Sequence, residues 1–161
     1  MSEQDSEVDY ALVAFVEAGA WQLQDIASPA YDSVAALGHA LRQVSGPDGA
    51  VAMVSVDEDF FVLVRVKGST TRVLLSDVTA AEEWELARSV VEFLGLPPPE
   101  EDDEPAPAGD LDLLGDLGLH AIDMGVLLDD DELYPDDVLS DVARRLGFGD
   151  LFDDAVGLTS A

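Results

Sequence analysis

The chain has 161 residues, of which 35 are Asp or Glu and seven are Lys or Arg, so its formal net charge is -28. A charge this negative repels nucleic acid, anionic membranes and acidic metabolites, and it favours basic protein faces or cations as partners. The chain has no cysteine, which excludes disulfides, thiolate catalysis and Cys-ligated zinc or iron–sulfur sites. A hydrophobic content of 48% argues against general disorder.

The first residues, 1–9, are predicted to form a disordered tail before the first apolar run. This tail is polar and acidic, unlike the basic start and apolar middle of a signal peptide. No apolar run approaches the ~20 residues that a membrane helix needs. The sequence therefore predicts a cytoplasmic protein without a membrane segment.

An α+β domain is predicted for residues 10–96, beginning with a hairpin and a helix. Residues 10–16 and 21–26 are short β-type runs separated by Gly19, which indicates a hairpin turn. Apolar residues then recur three and four positions apart, as on one face of an amphipathic helix. They are Val34, Leu37, Leu41 and Val44.

Three further β-type runs follow, at residues 50–56, 60–66 and 72–77. In the middle run, alternate side chains point to opposite faces: Phe60, Val62, Val64 and Val66 to one, and Phe61, Leu63, Arg65 and Lys67 to the other. Thr79 with Glu82 three residues later matches a capping box that begins a second helix. The order ββαβββα predicts an antiparallel five-stranded sheet with two helices on one face.

The remainder is predicted to be a linker and a helical module. Residues 97–109 form an acidic, proline-rich linker by composition, because prolines prevent regular hydrogen bonding and consecutive like charges favour extension. Residues 110–157 are predicted to be a small acidic module of short helices, punctuated by Gly118 and Gly147. Residues 97–161 hold nineteen Asp and Glu against two Arg, a net charge of -17.

Neither of the two histidines is placed like a catalytic or metal-ligating residue. His39 lies off the apolar stripe of its helix without a spaced nucleophile or base, and His120 pairs only with Asp123, at a spacing common by chance. Calcium loops counted from Asp110 and from Asp129 lack the glutamate required at position twelve. No catalytic, cofactor-binding or metal-binding residue is predicted, and the chain is expected not to be an enzyme.

Two features are candidates for binding a protein partner. One is an apolar patch formed by Phe61, Leu63 and Arg65, on the face of their strand opposite Phe60; alternatively, the C-terminal helices fold back and cover it. The other is an acidic stretch of the helical module, which alternatively is a solvated face that keeps the protein soluble. Its residues are Asp129, Asp130, Asp131, Glu132, Asp136 and Asp137.

Five segments carry a resemblance to a known family. They are SVDEDFFV from Ser55, LLSDVTA from Leu74, AGDLDLL from Ala108, LYPDD from Leu133 and ARRLGFG from Ala143. In this order they resemble the actinobacterial family of tRNA adenosine deaminase-associated proteins, over residues 10–156. The resemblance implies an association with a tRNA adenosine deaminase, whose RNA-binding surface must be basic. It assigns no catalytic or binding residues.

The charge and the resemblance together predict a non-enzymatic acidic accessory or regulatory protein that binds a basic protein. The tRNA adenosine deaminase is the first candidate for this partner, and the acidic module would shield its tRNA-binding surface. The chain cannot be the deaminase itself, whose zinc chemistry needs cysteine ligands. An interaction protein with a partner unrelated to tRNA, and an enzyme with an unrecognised carboxylate site, remain alternatives. Direct binding to nucleic acid or to a membrane is not expected.

Overall fold

The computed structural model describes residues 8–26, 31, 33–44, 49–56, 60–97, 100, 104, 106–129 and 134–156. Its strands are β1 (Val8–Glu17), β2 (Ala20–Asp25), β3 (Ala50–Val56), β4 (Phe60–Lys67), β5 (Thr70–Leu75) and β6 (Ala108–Gly109). Its α-helices are α1 (Val34–Val44), α2 (Glu85–Leu94), α3 (Ala121–Asp129), α4 (Pro135–Leu146) and α5 (Gly149–Val156). Two short 3-10 helices, Val78–Glu82 and Gly115–Leu117, precede α2 and α3.

The strands form one antiparallel sheet in the order β2-β1-β3-β4-β5-β6. The predicted hairpin of β1 and β2 is confirmed. Its two turn residues, Ala18 and Gly19, have φ of 54° and 82°, the positive values with which a type I′ turn matches the twist of its strands. The two-residue β6 pairs with the end of β5, so the predicted five-stranded sheet gains a short sixth strand.

Helices α1 and α2 cover one face of the sheet, as the element order predicts. The side chains of β4 that point to this face are buried, and they share a core with both helices. These residues are Phe60, Val62, Val64 and Val66 of β4, Val34, Leu37 and Leu41 of α1, and Leu86, Ala87, Val90 and Val91 of α2. The sheet is therefore held to its first helical layer by a continuous apolar contact.

The C-terminal helices cover the other face, so the described chain has three layers in the order helix, sheet, helix. Phe61 and Leu63 of β4 share a second core with residues of α3, α4 and α5. Fully buried members of this core from the C-terminal part include Leu114, Met124, Leu139, Val142 and Phe152. Strand β4 is therefore central in the sheet and buried on both faces.

Two predicted boundaries change. Val8 and Asp9, placed in the tail, belong to β1, whereas residues 1–7 lie outside the described chain. The Val78 N–H donates to the Ala106 carbonyl at 2.8 Å, and β6 follows at once, so the predicted linker ends bound to the sheet. The division into a 10–96 domain and a 110–157 module stays a prediction, although the two regions share one core.

The second helix begins later than its capping pattern predicts. The Asp77 carboxylate accepts the Thr79 backbone N–H at 2.9 Å and the Thr79 hydroxyl at 2.6 Å, so Asp77 caps a 3-10 turn. Trp84 is then extended, and α2 begins at Glu85. The Trp84 ring lies 6.0 Å from the ring of Phe60. Packing of this tryptophan against the sheet separates the 3-10 turn from the helix proper.

Candidate partner-binding surface

The basic end of β4 anchors the C-terminal layer on the sheet. Arg65 is 3% exposed, and its guanidinium donates to both Asp116 oxygens, from Nη1 to Oδ1 at 2.7 Å and from Nη2 to Oδ2 at 3.1 Å. Arg65 Nη1 also donates to the Leu113 carbonyl at 3.3 Å. A bidentate pair of this kind adds geometric specificity to charge. Arg65, predicted as a partner contact, is therefore an internal anchor.

Two further cations extend this contact. Lys67 Nζ lies 3.1 Å from Asp116 Oδ2, and Arg72 Nη1 lies 3.4 Å from Asp110 Oδ2. Hydrogen bonds from Arg65, and then from Lys67, outweigh partial burial and lower the pKa of Asp116 to about 2. The three cations line a cavity of about 360 Å³ with Thr70, Asp112, Leu113 and Asp116. Each of these cations pairs with an aspartate from the C-terminal part of the same chain. The cavity therefore lies where the sheet meets that part and is bordered by ion pairs within the chain.

Phe61 and Leu63 are buried, so their predicted exposure is wrong. Of the two alternatives for this patch, the C-terminal helices fold back and cover it. The physical reason is the apolar area of the patch, because each square ångström of it removed from water contributes about 25 cal/mol to folding. A partner cannot reach either side chain while this layer is in place.

The acidic stretch is divided between surface and structure. Residues 130–132 lie outside the described chain. Asp129, at the end of α3, is exposed. Asp137 is also exposed, but its Oδ2 accepts the Tyr134 backbone N–H at 3.0 Å and so closes the first turn of α4. Its charge also lies near the positive end of the helix dipole. Of the members that the structure describes, Asp129 is thus the best placed to meet a partner.

Asp136 contacts the sheet. The Tyr10 hydroxyl, on β1, is buried beside the Asp136 carboxylate, whose Oδ1 is buried as well. Burial, and then the negative charge of Asp136, raise the pKa of Tyr10 well above its usual value. The Tyr10 ring also packs edge-on against Phe152 of α5, with centroids 5.6 Å apart. Asp136 therefore belongs to the contact between layers.

Helix α3 carries the most exposed large apolar side chains of the described chain. Ile122 is 82% exposed and Val126 is 65% exposed. They are four residues apart, and Asp129 follows three residues later, so all three share one side of the helix. We call Ile122, Val126 and Asp129 the α3 face. The opposite side of α3 is buried through Met124 and Leu127.

The α3 face is apolar in the way that surfaces in contact with other protein groups usually are. A helix that is apolar on all sides is normally buried on all sides, and α3 is covered on one side by the rest of the described chain. Scattered exposed apolar residues are ordinary on proteins. Ile122 and Val126 are instead adjacent to each other, and the acidic stretch follows them in the sequence. They combine an apolar contact with nearby charge, which is the pattern of an interface centre and its rim.

Comparison with known proteins identifies the family. The family model of the Rv3753c-like tRNA adenosine deaminase-associated protein matches residues 9–149. The chain belongs to this family. Protein Rv3753c of Mycobacterium tuberculosis (strain ATCC 25618 / H37Rv) is 36% identical over 149 residues, which cover 91% of this chain and 86% of that protein. No solved structure matches the chain. The resemblance seen in the sequence is therefore confirmed.

The histidines of this tRNA adenosine deaminase-associated protein lie on the surface. His39 is exposed, and its Nε2 lies 2.9 Å from the Gln43 side-chain amide. His120 is exposed, and its carbonyl accepts the Met124 N–H at the start of α3. Within the described ranges, no group of three or more His, Asp or Glu is arranged to hold a metal ion. The described helices are also too short or too polar to span a bilayer.

The α3 face is not predicted by the sequence pattern, although a helix in this region is. The apolar run at residues 122–128 indicates one of the short helices predicted for residues 110–157. It does not show which side packs on the sheet, because that depends on where the preceding turn at Gly118 directs the chain. The available signal is the composition of α3, since an apolar helix within an acidic module has more apolar surface than one contact can bury.

Proposed function

We propose that this protein is a non-enzymatic accessory protein that binds a basic protein, the tRNA adenosine deaminase, through the α3 face. The exposure of Ile122 and Val126 beside an acidic stretch carries the proposal. The family description, which names a tRNA adenosine deaminase-associated protein, supports the choice of partner. The alternative of a partner unrelated to tRNA shares the same surface and differs only in the protein bound.

Apolar contact would hold the complex, and charge would guide its formation. Exposed ion pairs contribute only about 0–1 kcal/mol each, whereas a side chain buried at an interface centre contributes about 2 kcal/mol or more when it is a hot spot. Ile122 and Val126 therefore form the dry centre. Asp129 and the acids that follow it raise the association rate, and this effect falls as salt is added.

A protein surface that binds tRNA is positively charged, and the acidic C-terminal layer requires a positively charged partner. An enzyme that holds tRNA needs cations along its RNA-binding surface. Residues 97–161 carry a net charge of -17 and offer carboxylates to the same cations. The protein therefore competes with tRNA for the enzyme and shields the RNA-binding surface until tRNA displaces it.

The proposal gives this chain no catalytic step. Adenosine deamination by zinc enzymes needs a metal held by histidine and cysteine ligands, with a glutamate for proton transfer, and this chain has no cysteine. Both histidines are exposed, so neither is enclosed with carboxylates in the way that would favour general base catalysis.

Titration of the purified protein into the tRNA adenosine deaminase of the same organism tests the proposal. We expect a complex at about 50 mM sodium chloride that is weaker at about 300 mM, as measured by calorimetry. Replacing both Ile122 and Val126 with serine should weaken binding by at least about tenfold at either salt concentration. It should change the free energy of unfolding by less than about 0.5 kcal/mol, since both side chains are exposed.

The matched control replaces Phe93 and Leu96 with serine. These exposed apolar residues lie at and just beyond the end of α2, on the other helical layer, so the change removes similar apolar surface and should leave binding intact. Added tRNA should displace the protein from the enzyme. Absence of a complex at both salt concentrations would exclude the deaminase as the partner, and equal losses in the two double variants would exclude the α3 face.

A further inference from the structure

The outer edge of β2 is open in the part of the chain that the structure describes. β2 is the end strand of the sheet and pairs with β1 alone. Ala20, Gln22 and Gln24 exchange hydrogen bonds with β1. Ile26, the next residue of this alternate series, donates its N–H to the Ala11 carbonyl at 2.8 Å. The backbone groups that point outward are therefore those of Trp21, Leu23 and Asp25.

Within the residues that the structure describes, this edge lacks the usual protection against strand pairing. Natural sheets protect their edges with proline, lysine, a bulge or a very short strand. β2 has six residues, none of them proline, lysine or arginine, and its register with β1 is continuous. At the other end of the sheet, β6 has only two residues. The β2 edge is thus the longer open edge and suits the addition of an extended segment.

Helix α5 places an apolar side chain beside this edge. Phe148, just before α5, packs on Trp21 of β2 with ring centroids 4.7 Å apart. Asp153 accepts the Ser140 hydroxyl of α4 at 2.7 Å, which identifies the side of α5 that faces α4. Helix α5 itself packs on β2, and Leu151, on the side of α5 away from Ser140, is 44% exposed. A strand added to β2 would therefore place alternate side chains against Leu151.

The exposed charges around the edge are mainly acidic. They are Glu17 and Asp25 at the two ends of the hairpin ladder, and Asp150 and Asp154 on α5. Arg144 lies near Leu151, but it pairs with Asp141 at 3.2 Å. A second copy of this chain would bring the same acids to the contact and be repelled, whereas a basic segment would be attracted.

We propose that the β2 edge docks an extended basic segment of a partner protein, in which apolar and cationic residues alternate. The segment pairs with the outward backbone groups of Trp21, Leu23 and Asp25. Its apolar side chains contact Leu151, on the face of the sheet that the C-terminal helices cover, and its cations point to the opposite face, where Glu17 lies at the end of the hairpin. This second contact rests on the proposed function only in taking the partner to be basic, and it uses a surface separate from the α3 face.

A capped hexapeptide of alternating valine and lysine is the probe for this edge. In the free protein, amide hydrogen exchange followed by NMR should be fast at Trp21, Leu23 and Asp25 and slow at Gln22 and Gln24. Excess hexapeptide at low salt should slow the first three amides by at least about tenfold. The same peptide N-methylated at alternate residues cannot pair with a strand, and it should leave them fast.

A proline substitution separates backbone pairing from charge. Asp25→Pro removes an outward N–H that takes no part in pairing with β1, and it removes the carboxylate as well. Asp25→Ala removes only the carboxylate. Loss of one hydrogen bond should make the Asp25→Pro variant bind the hexapeptide about two- to tenfold more weakly than Asp25→Ala. Equal affinities of the two variants would overturn strand addition at this position.

Three further outcomes would overturn the proposal. Slow exchange at Trp21, Leu23 and Asp25 in the free monomer would show that the chain itself covers the edge. Protection that rises with protein concentration would assign the edge to a second copy, and hexapeptide protection confined to α3 would assign basic segments to that helix. Because the probe is a peptide, these results are independent of whether the deaminase binds, so this proposal and the proposed function can fail separately.

Discussion

Arg65 is the residue whose role the fold changes most. By strand alternation it extends an apolar patch and is predicted to meet a partner. In the folded chain it is buried, and a buried guanidinium requires a paired charge because its desolvation is costly. Asp116, 51 residues away in the sequence, supplies that charge. The pair holds the segment before α3 on β4, and it explains why a basic residue can lie between two apolar layers.

Asp116→Asn should lower the free energy of unfolding by about 1–2 kcal/mol at neutral pH. A hydrogen bond to a charged group contributes about 1.5–3 kcal/mol, and we discount this value because the Asp116 side chain is 44% exposed and screened by water. Urea-induced unfolding measures the change. Asp154→Asn removes the same charge from an exposed position on α5 and should stay within about 0.5 kcal/mol of wild type.

The stability difference between wild type and Asp116→Asn should decrease at low pH. The pKa of folded Asp116, about 2, lies below its ordinary value of 3.8, so its ionised form stabilises the fold fully above about pH 4. This contribution is lost as the pH falls from about 4 towards about 2. The stability difference between wild type and Asp116→Asn should shrink over this range. A difference that stays constant down to about pH 2 would show that the Asp116 charge is not its cause.

At the scale of elements, the end of the predicted linker is part of the sheet. Gly109 in β6 has a φ of 116°, and a Cβ at this position would collide with the Val73 carbonyl oxygen of β5. The next residue, Asp110, donates its N–H to that carbonyl at 2.9 Å. Glycine is therefore required here for both backbone conformation and close approach. This contact directs the chain from the first helical layer to the second.

Gly109→Ala should destabilise the fold more than Gly118→Ala, which serves as its control. Gly118 has a φ of 110°, and a Cβ added there would meet no atom within 4 Å, so its replacement brings only left-handed backbone strain, about 1–2 kcal/mol. At Gly109 the collision adds a packing penalty of about 1–3 kcal/mol. Thermal and urea unfolding measure both variants, and equal losses would show that β6 does not need its close approach to β5.

At the scale of the whole molecule, two apolar cores hold together a chain that repels itself. The sheet contributes side chains to both cores, so each helical layer is attached through the same strands. The net charge of -28 opposes this compact state through repulsion among carboxylates. Folding therefore depends on apolar burial outweighing that repulsion, with the cations of β4 and β5 placed where the acidic layer meets the sheet.

Added salt should stabilise the folded chain. Raising sodium chloride from about 20 mM to about 500 mM shortens the screening length and weakens repulsion among the carboxylates, so the melting temperature should rise by several degrees in calorimetric scans. Potassium chloride at equal ionic strength should have the same effect, which serves as the control for specific ion binding. A melting temperature that is unchanged or lower in salt would mean that self-repulsion is not a major term.

The periodicity of the chain predicted most of its elements. Alternation along β4 separated Phe60 from Phe61 correctly, and the apolar spacing in α1 identified the side that packs. These are local signals, since they depend on residues two to four positions apart. The start of α2 was predicted too early because the packing of Trp84, and not the capping pattern at Thr79, determined it. The family was also recognisable from short segments of the sequence.

The α+β class, the order of the elements from β1 to α2, the family and the excess of negative charge could all be read from the amino-acid sequence, because each depends on composition or on neighbours along the chain. Which apolar surfaces are covered depended on how the elements pack together. Phe61 and Leu63 are buried, whereas Ile122 and Val126 are exposed, although all four are apolar side chains in helices or strands. The physical reason is that burial is set by contacts between residues far apart in sequence, such as Arg65 with Asp116, and no local pattern encodes them.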